Sequence, residues 1–341
     1  MVRIGIVGIG FMGRIHFLAA QRLTGAAVVA VCSRDPAKLA GDWTNTRGNF
    51  GPPPGHVDLT GVRTYSEFAA LLADPEVDLV DICTVTHTHK DFAIAALRAG
   101  KHVLVEKAIA LSVADADEML AAARAAGRLL MVAHVLPFFP EFAFAARVVR
   151  EGVYGRLLAA HFTRIISRPD WSADIADAAK TGGPAVDLHI HDTHFIGLLA
   201  GVPRQVFASG VIDQNTLTYL TTHYLYGPGG PAVSCAAGAI AQKARQFIHG
   251  YEIYLERATL SYDSATRPLL LLHADGQTEQ PQLPGSGDAL AAFADELQTA
   301  AEAVRSGVMP PLLSGQLARD ALALCVAECQ SAQIGQTVSI G

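Results

Sequence analysis

A lysine directly after a buried strand is the residue of this sequence best suited to proton transfer. Glu106 and Lys107 follow the apolar run His102–Val105, so they stand where a predicted strand ends. A charged pair at such a place is costly to desolvate unless it is paired or used. The Lys107 ammonium could donate a hydrogen bond to a substrate hydroxyl, and could shuttle its proton when partly buried. The alternative is a solvated pair that begins a loop.

A second candidate group is an acid and two histidines at helical spacing. The pattern predicts one helix over Pro184–Leu199, and this helix would place Asp187, His191 and His194 on one face. A carboxylate one turn before a histidine fixes its tautomer and supports its protonated form. We therefore predict a general acid–base role for Asp187 and His191, with core-satisfied polar groups as the alternative.

The same segment invites a metal interpretation, which its spacing argues against. The hydrolase pattern H-x-H-x-D-H requires an aspartate directly before the last histidine, where this chain has Thr193. We therefore predict no metal site here, and for His189 we expect a satisfied position in the core.

These groups need a scaffold, and the start of the chain indicates one. The β-type run Val2–Val7 ends in a G-x-G-x-x-G pattern, which is followed by a helix-like segment, Arg14–Leu23, and a second β-type run, Ala27–Cys32. This order is that of a dinucleotide-binding unit, in which the phosphates lie at the helix N-terminus. The alternative is a glycine-rich turn of another α/β domain. The predicted cofactor-binding residues of this turn are Gly8, Gly10, Phe11, Met12 and Gly13.

The end of the second strand bears on which dinucleotide is bound. An NAD site places an acid there for the ribose 2′-hydroxyl, whereas this chain has Ser33 followed by Arg34. A hydroxyl and a guanidinium suit a 2′-phosphate, and Lys38 could add charge. Asp35 could instead bind the ribose. We therefore predict that NADP(H) is favoured, with NAD(H) as the alternative.

Other candidates stand at further strand ends, because ligands of open α/β sheets bind beyond the carboxyl ends of the strands. A Thr-Val-Thr-His-Thr-His stretch follows the third buried run, and a histidine follows the last one. A loop with an aromatic residue and charges could cap the substrate, with a surface turn as the alternative. The further cofactor candidates are Thr84, Thr86, His89, Glu106 and Lys107, and the further substrate candidates are His134, Trp171 and His194.

The bulk properties limit the class of protein. The chain has 341 residues, of which 50% are hydrophobic and 17% charged, enough for two domains with real cores. A net charge of −6 argues against a general nucleic-acid or membrane-surface binder. No window approaches the length of apolar residues that a membrane span needs. The five cysteines form no C-x-x-C pair and are typical of buried thiols in a reducing cytoplasm, where we expect the protein.

Strand and helix patterns divide the chain into two parts. Over residues 1–135 they alternate, which predicts a doubly wound parallel sheet that binds the dinucleotide. Over residues 136–341 consecutive strands with few helices predict an α+β domain on a mostly antiparallel sheet. The stretch Gly41–Gly61 contains Gly-Pro-Pro-Pro-Gly and is predicted to be an irregular, exposed insertion.

Three motifs together resemble the glucose–fructose oxidoreductase/inositol dehydrogenase/MocA family. They are the glycine turn, the stretch GKHVLVEK that ends in Lys107, and Gly-Gly followed by Asp187-x-x-x-His191-Asp192. The resemblance runs over nearly the whole chain. It implies a Rossmann domain followed by a substrate-binding domain with a large open sheet, which often forms the subunit interface of a homodimer or homotetramer. It also implies NAD(P)-dependent oxidation or reduction of a sugar, sugar derivative or polyol.

The resemblance also implies roles for single residues. Lys107 would be the catalytic lysine, Asp187 a supporting acid and His191 the proton acceptor. Two positions depart from the family: Ala108 stands where the family usually has proline, and His194 where it often has aspartate. The alternatives are an enzyme of the same fold that acts on a non-sugar diol or carbonyl, and a non-catalytic dinucleotide-binding regulatory protein.

Overall fold

A computed structural model describes residues 1–168, 177–213, 216–283 and 288–340 of the protein. The chain forms two compact units, the first from Met1–Phe138 with Gly285–Arg319 and the second from Phe139–Pro284 with Asp320–Gly341. Residues 285–319 thus belong to the first unit, although a division of the chain after residue 135 separates them from it. The substrate candidate Trp171 lies outside the described residues.

The first unit contains a six-stranded parallel sheet in the order β3-β2-β1-β4-β5-β6, counted over the described residues. Its inner strands are apolar runs buried on both faces, as a parallel sheet between helices requires. The predicted doubly wound sheet is confirmed. Because β1 and β4 are neighbours, the chain order reverses beside β1, where such folds bind ligands. The strands are β1 (Val2–Val7), β2 (Ala26–Cys32), β3 (Arg63–Tyr65), β4 (Leu79–Ile82), β5 (His102–Glu106) and β6 (Leu130–Ala133).

Helices connect these strands, and their ends follow local sequence signals. Ser112 precedes α5 and its Oγ accepts a hydrogen bond from the Asp115 amide at 3.1 Å, while its hydroxyl donates to the Asp115 carboxylate at 2.7 Å. The first of these contacts is the N-cap hydrogen bond of the helix. Gly127 ends the helix at φ +61°. The helices are α1 (Phe11–Ala20), α2 (Pro36–Leu39), α3 (Phe68–Ala73), α4 (His89–Arg98) and α5 (Val113–Ala126).

The stretch between α2 and β3 lacks helix and strand, as predicted, but it is not wholly exposed. Trp43 is fully buried, its indole donates to the Lys38 carbonyl at 2.8 Å, and its ring lies edge-on to Phe17 at 4.9 Å. The ring of Phe50 stacks on that of Phe293 at 5.5 Å. Aromatic burial therefore anchors this insertion to the first unit, and the predicted exposure was wrong at these side chains.

The second unit contains a nine-stranded sheet, counted over the described residues, in the order β14-β13-β12-β11-β7-β10-β9-β8-β15. Its pairs are antiparallel except β7 with β10. The predicted mostly antiparallel sheet is confirmed, although the short β14 and β15 and the hairpin strand β12 were not foreseen. The strands are β7 (Leu157–Ser167), β8 (Gln205–Asp213), β9 (Thr216–Leu225), β10 (Ala232–Ala241), β11 (Ile248–Leu255), β12 (Ala258–Asp263), β13 (Arg267–His273), β14 (Thr278–Glu279) and β15 (Val338–Ser339).

The single helix predicted over Pro184–Leu199 was wrong, because the chain forms two helices there. The amide of His189 donates to the Pro184 carbonyl at 3.1 Å, five residues back instead of four, so the hydrogen-bond ladder changes step. The helices of this part are α6 (Pro140–Glu151), α7 (Ala178–Thr181), α8 (Pro184–Asp187) and α9 (Ile190–Ala200), and the chain then forms α10 (Ala289–Ser306) and α11 (Gly315–Ile334).

Candidate active site

The glycine turn after β1 is shaped by backbone contacts that exclude side chains at two of its positions. Gly8 has φ +91°, and a Cβ there would lie 2.8 Å from the Cys83 carbonyl oxygen. A Cβ on Gly13 would lie 2.1 Å from the Gly8 carbonyl oxygen, so helix and turn are in direct contact. A Cβ on Gly10 would instead meet no heavy atom of the described residues within 4 Å. The turn therefore leaves open space beside Gly10, where a ligand can approach the backbone.

The N-terminus of α1 faces the end of this turn. Gly10 is the N-cap residue, and none of the described side chains caps the helix. The first-turn amides and the helix dipole favour an anion at such a terminus. Phe11 lies edge-on to Phe50 at 4.7 Å, and Met12 is half-buried. The residues present fit the diphosphate group of a dinucleotide.

The end of β2 carries the residues that were predicted to select the cofactor. The Asp35 carboxylate caps α2 by accepting from the Ala37 amide at 3.0 Å, and the Ser33 hydroxyl oxygen accepts from the Asp35 amide at 3.2 Å. Arg34 is exposed and Lys38 is half-buried. One carboxylate oxygen of Asp35 thus accepts a hydrogen bond at the start of α2, whereas the Arg34 side chain is exposed to solvent.

The segment after β4 is held in place by a buried histidine. Both ring nitrogens of His89 lie near backbone carbonyls, Nδ1 at 2.8 Å from Ala108 and Nε2 at 3.0 Å from Thr84. Burial lowers the pKa of this imidazole. Thr84 is half-buried and its methyl would lie 2.8 Å from a Cβ on Gly8, while Thr86 is buried. His89 therefore fixes the backbone around the predicted cofactor residues, and Thr84 lies against the glycine turn.

Glu106 and Lys107 lie at the carboxyl end of β5, two strands from the glycine turn in the same sheet. The buried Glu106 carboxylate accepts a hydrogen bond from the Lys107 backbone amide at 3.1 Å, and Lys107 is half-buried. The Lys107–Ala108 peptide bond is cis. The structure thus brings together the glycine turn, Thr84 and Lys107 along the ends of β1, β4 and β5.

A buried histidine that was not predicted joins these strand ends. His16 of α1 has Nδ1 2.9 Å from Asp81 Oδ2 and Nε2 3.0 Å from Glu106 Oε1. Burial alone would lower the pKa of His16, but the Asp81 carboxylate outweighs it and the pKa is raised well above its usual range. His16, Asp81 and Cys83 place one ligand atom each within 4.8 Å of one another, a spacing that a metal ion could use. The 2.9 Å contact is, however, a direct hydrogen bond. The signal that could have found this group was Asp81, an acid inside a buried apolar run.

In the second unit, Asp187 and His191 are both half-buried, Asp187 as the last residue of α8 and His191 near the start of α9. The residues around them belong to the core. His189 Nε2 lies 2.6 Å from the Glu328 carboxylate, and its pKa is raised because this carboxylate outweighs the effect of burial. Asp192 forms a buried ion pair with Arg164 through contacts of 2.6 and 3.1 Å. His189 is in the core as expected, and the Arg164–Asp192 pair was missed.

Two substrate candidates are fully buried in their respective units. His134 follows β6 of the first unit, and His194 lies within α9 of the second unit. Burial lowers the pKa of His194 to about 3, so its imidazole is neutral at ordinary pH. Neither side chain is exposed to a ligand in this conformation.

Comparison with known proteins agrees with this arrangement. Residues 2–134 match the model of an oxidoreductase family with an NAD-binding Rossmann fold, GFO_IDH_MocA. The chain is 26% identical to 1,5-anhydro-D-fructose reductase of Ensifer adhaerens, over 100% of this chain and 99% of that protein. It is 25% identical to myo-inositol 2-dehydrogenase of Thermotoga maritima, over 99% of this chain and 98% of that protein.

The fold also matches solved structures. Levoglucosan dehydrogenase in complex with NADH and L-sorbose superposes with a TM-score of 0.85 at 20% identity, over 100% of this chain and 99% of that one. Within the described residues no helix has the length and apolarity that crossing a membrane requires. The parallel sheet, the glycine turn, the match over residues 2–134 and the relatives aligned over nearly the whole chain support the glucose–fructose oxidoreductase/inositol dehydrogenase/MocA family of nicotinamide-dependent oxidoreductases.

Proposed function

We propose that this protein transfers a hydride between NADP(H) and a secondary alcohol or carbonyl of a sugar, sugar derivative or polyol. The observation that carries the proposal is the position of Lys107, at the end of β5 in the sheet whose β1 ends in the glycine turn. Relatives named for reduction of an anhydro sugar and oxidation of an inositol support the substrate class. The free cysteines in the described part fit a reducing compartment, and we place the protein in the cytoplasm.

The residues of this chain have separate roles in the proposed reaction. Lys107 donates a hydrogen bond to the reacting oxygen and stabilises the negative charge that develops there. His191 accepts the hydroxyl proton during oxidation, and Asp187 supports its protonated form. The glycine turn and Thr84 would hold the nicotinamide dinucleotide, which supplies the hydride acceptor or donor when bound.

Catalysis is tested by removing the two proton-transfer groups separately. Lys107→Ala and His191→Ala should each lower kcat by about 10²- to 10⁴-fold, the usual contribution of a positioned acid or base. The dissociation constant of the dinucleotide should change far less than kcat, because the glycine turn is the same in both variants. His273→Ala on β13 is a matched histidine control and should leave kcat unchanged. Turnover at the wild-type rate in both Lys107 and His191 variants would contradict the proposed function.

The NADP(H) preference rests on the end of β2. The Asp35 carboxylate caps α2, so the exposed Arg34 is the side chain best suited to pair with a ribose 2′-phosphate. Arg34→Ala should raise the KM for NADP(H) about tenfold, equivalent to ~1.4 kcal/mol, and leave the KM for NAD(H) unchanged. Arg98→Ala, an exposed arginine in the last turn of α4, serves as the control. A wild-type enzyme that strongly prefers NAD(H) would refute this preference.

We also propose that the second sheet forms the interface of a homodimer or homotetramer. Its open face exposes large apolar side chains, among them Phe207 at 37%, Ile240 at 46% and Tyr254 at 40%. Exposed large apolar side chains on one sheet face suit a protein–protein interface, and polar side chains such as Ser234 and Glu252 lie among them. Light scattering should give twice or four times the chain mass, and Phe207→Glu with Ile240→Glu should yield a monomer. A monomeric wild-type protein at micromolar concentration would refute the proposed assembly.

A further inference from the structure

We propose that His16 is a positioning residue for Lys107, and that it acts through the Glu106 carboxylate. The inference rests on the proposed catalytic role of Lys107 and adds a residue of α1 to the residues that surround it. His16 is not part of the glycine motif, because it lies three residues after Gly13 inside α1.

The contacts form a continuous path from α1 to the backbone of Lys107. His16 Nδ1 is hydrogen-bonded to Asp81 at 2.9 Å, which fixes the ring against β4. Its Nε2 lies 3.0 Å from Oε1 of Glu106 at the end of β5. The second oxygen of the same carboxylate, Oε2, accepts from the Lys107 amide at 3.1 Å. The two oxygens of one carboxylate thus contact the imidazole and the Lys107 amide, the first as an ion pair without hydrogen-bond geometry and the second as a hydrogen bond.

Burial makes this path difficult to replace by other contacts. His16 and Asp81 are completely buried and Glu106 is 6% exposed, so bulk solvent does not reach these three side chains. One imidazolium lies between two carboxylates, and its positive charge compensates part of theirs. Without it, two buried acids would face each other with no cation between them, which is strongly unfavourable. Glu106 would then reorient, and its hydrogen bond with the Lys107 amide would change.

The expected consequence is a loss of turnover without loss of binding. A displacement of about 1 Å in a reacting group can cost about 10²-fold in rate. His16→Leu should therefore lower kcat by about 10- to 100-fold, while the KM for the sugar or polyol substrate and the dinucleotide affinity change by less than about threefold. A merely structural role would lower the melting temperature and the yield of folded enzyme, but not the kcat of the molecules that fold.

Two amide variants separate the contacts of the two ring nitrogens. Glutamine can present its amide near the position of Nε2 and so retain a donor toward Glu106, whereas asparagine can retain only the donor toward Asp81. The proposal requires His16→Gln, which keeps a donor toward Glu106 but not the positive charge, to retain a higher kcat than His16→Asn, and His16→Asn to resemble His16→Leu. Equal activity of the two variants, or higher activity of His16→Asn, would overturn it.

A double-mutant cycle with Lys107→Ala tests whether His16 acts through the lysine. If it does, His16→Leu has no further effect on the residual turnover of Lys107→Ala, whereas independent effects would multiply. A wild-type rate for Lys107→Ala alone would defeat the proposed function. Slow turnover of Lys107→Ala with full turnover of His16→Leu would defeat only the present inference.

Glu296 provides a matched control in the same buried region. It lies on α10, one turn from Phe293, whose ring is 5.9 Å from that of His16. The Glu296 carboxyl is fully buried without a hydrogen-bond partner among the described residues, and burial raises its pKa well above the usual range. A neutral acid is nearly isosteric with an amide, so Glu296→Gln should keep kcat within about twofold of wild type. A large loss in this variant would mean that any change near His16 impairs the enzyme, which would overturn the specific path through Glu106.

Discussion

Two alanine substitutions in the glycine turn should affect different properties. Gly13→Ala should lower the stability of the fold, and Gly10→Ala should lower the affinity for the dinucleotide. A Cβ on Gly13 would lie 2.1 Å from the Gly8 carbonyl oxygen, whereas a Cβ on Gly10 would meet no heavy atom of the described residues within 4 Å. Gly13→Ala must therefore push α1 away from the turn in the unliganded protein. Gly10→Ala adds a methyl group only to the open space in which the dinucleotide diphosphate would approach the backbone.

The magnitudes follow from these distances. Overpacking costs about 1–3 kcal/mol, and a backbone contact as short as that at Gly13 places Gly13→Ala at the upper end. Gly10→Ala should change the free energy of unfolding by no more than about 0.5 kcal/mol. In Gly10→Ala an overpacking cost of about 1–3 kcal/mol arises only when the dinucleotide is bound. The dissociation constant of the dinucleotide should therefore rise about 5- to 150-fold.

Urea unfolding and a fluorescence titration with the reduced dinucleotide measure the two effects separately. Wild-type protein and Gly55→Ala, a glycine of the insertion with no neighbour within 4 Å among the described residues and no positive φ, are the controls. The Gly55 variant should keep wild-type stability and wild-type affinity for the dinucleotide. Wild-type affinity in Gly10→Ala would refute the assignment of this turn as the diphosphate site.

Further predictions concern the core. Arg164→Met should lower the free energy of unfolding by about 3–5 kcal/mol in urea titrations, because it leaves the Asp192 carboxylate buried without its cation. Trp43→Ala should cost about 3–5 kcal/mol and expose residues 41–61 to limited proteolysis, since this buried ring anchors the insertion. His194 has a folded pKa of about 3, below its ordinary 6.5, so the unfolded state binds more protons between these values. Its contribution should therefore make the protein less stable as pH falls from 6.5 toward 3, and His194→Gln should reduce this slope in urea unfolding measured across that range.

Local patterns predicted the parts of the fold that local forces determine. The run Val2–Val7 and the glycines after it each act over a few residues, so their types and spacing specify the strand, the turn and the start of α1. The antiparallel second sheet was predictable from consecutive strand patterns with few helices between them, although its shortest edge strands carry too few residues to show a period.

Features that depend on distant partners were not predictable in this way. His16 contacts Asp81 and Glu106, which lie 65 and 90 positions further along the chain, and no spacing rule connects residues so far apart. His189 likewise lies 2.6 Å from the Glu328 carboxylate, a partner 139 positions further along the chain. A carboxylate within a buried run indicates that a hydrogen-bond donor lies nearby in the fold, but the sequence does not identify the residue that provides the donor.

The return of residues 285–319 to the first unit has a consequence for how the protein can be divided. The chain passes between the units at residues 138–139, 284–285 and 319–320, so neither unit is one uninterrupted stretch. A fragment that stops at residue 135 would lack α10, and with it the Phe293 ring on which Phe50 stacks and the buried Leu297. The dinucleotide-binding half is therefore not a transferable module, and its completion during synthesis waits until most of the second unit has left the ribosome.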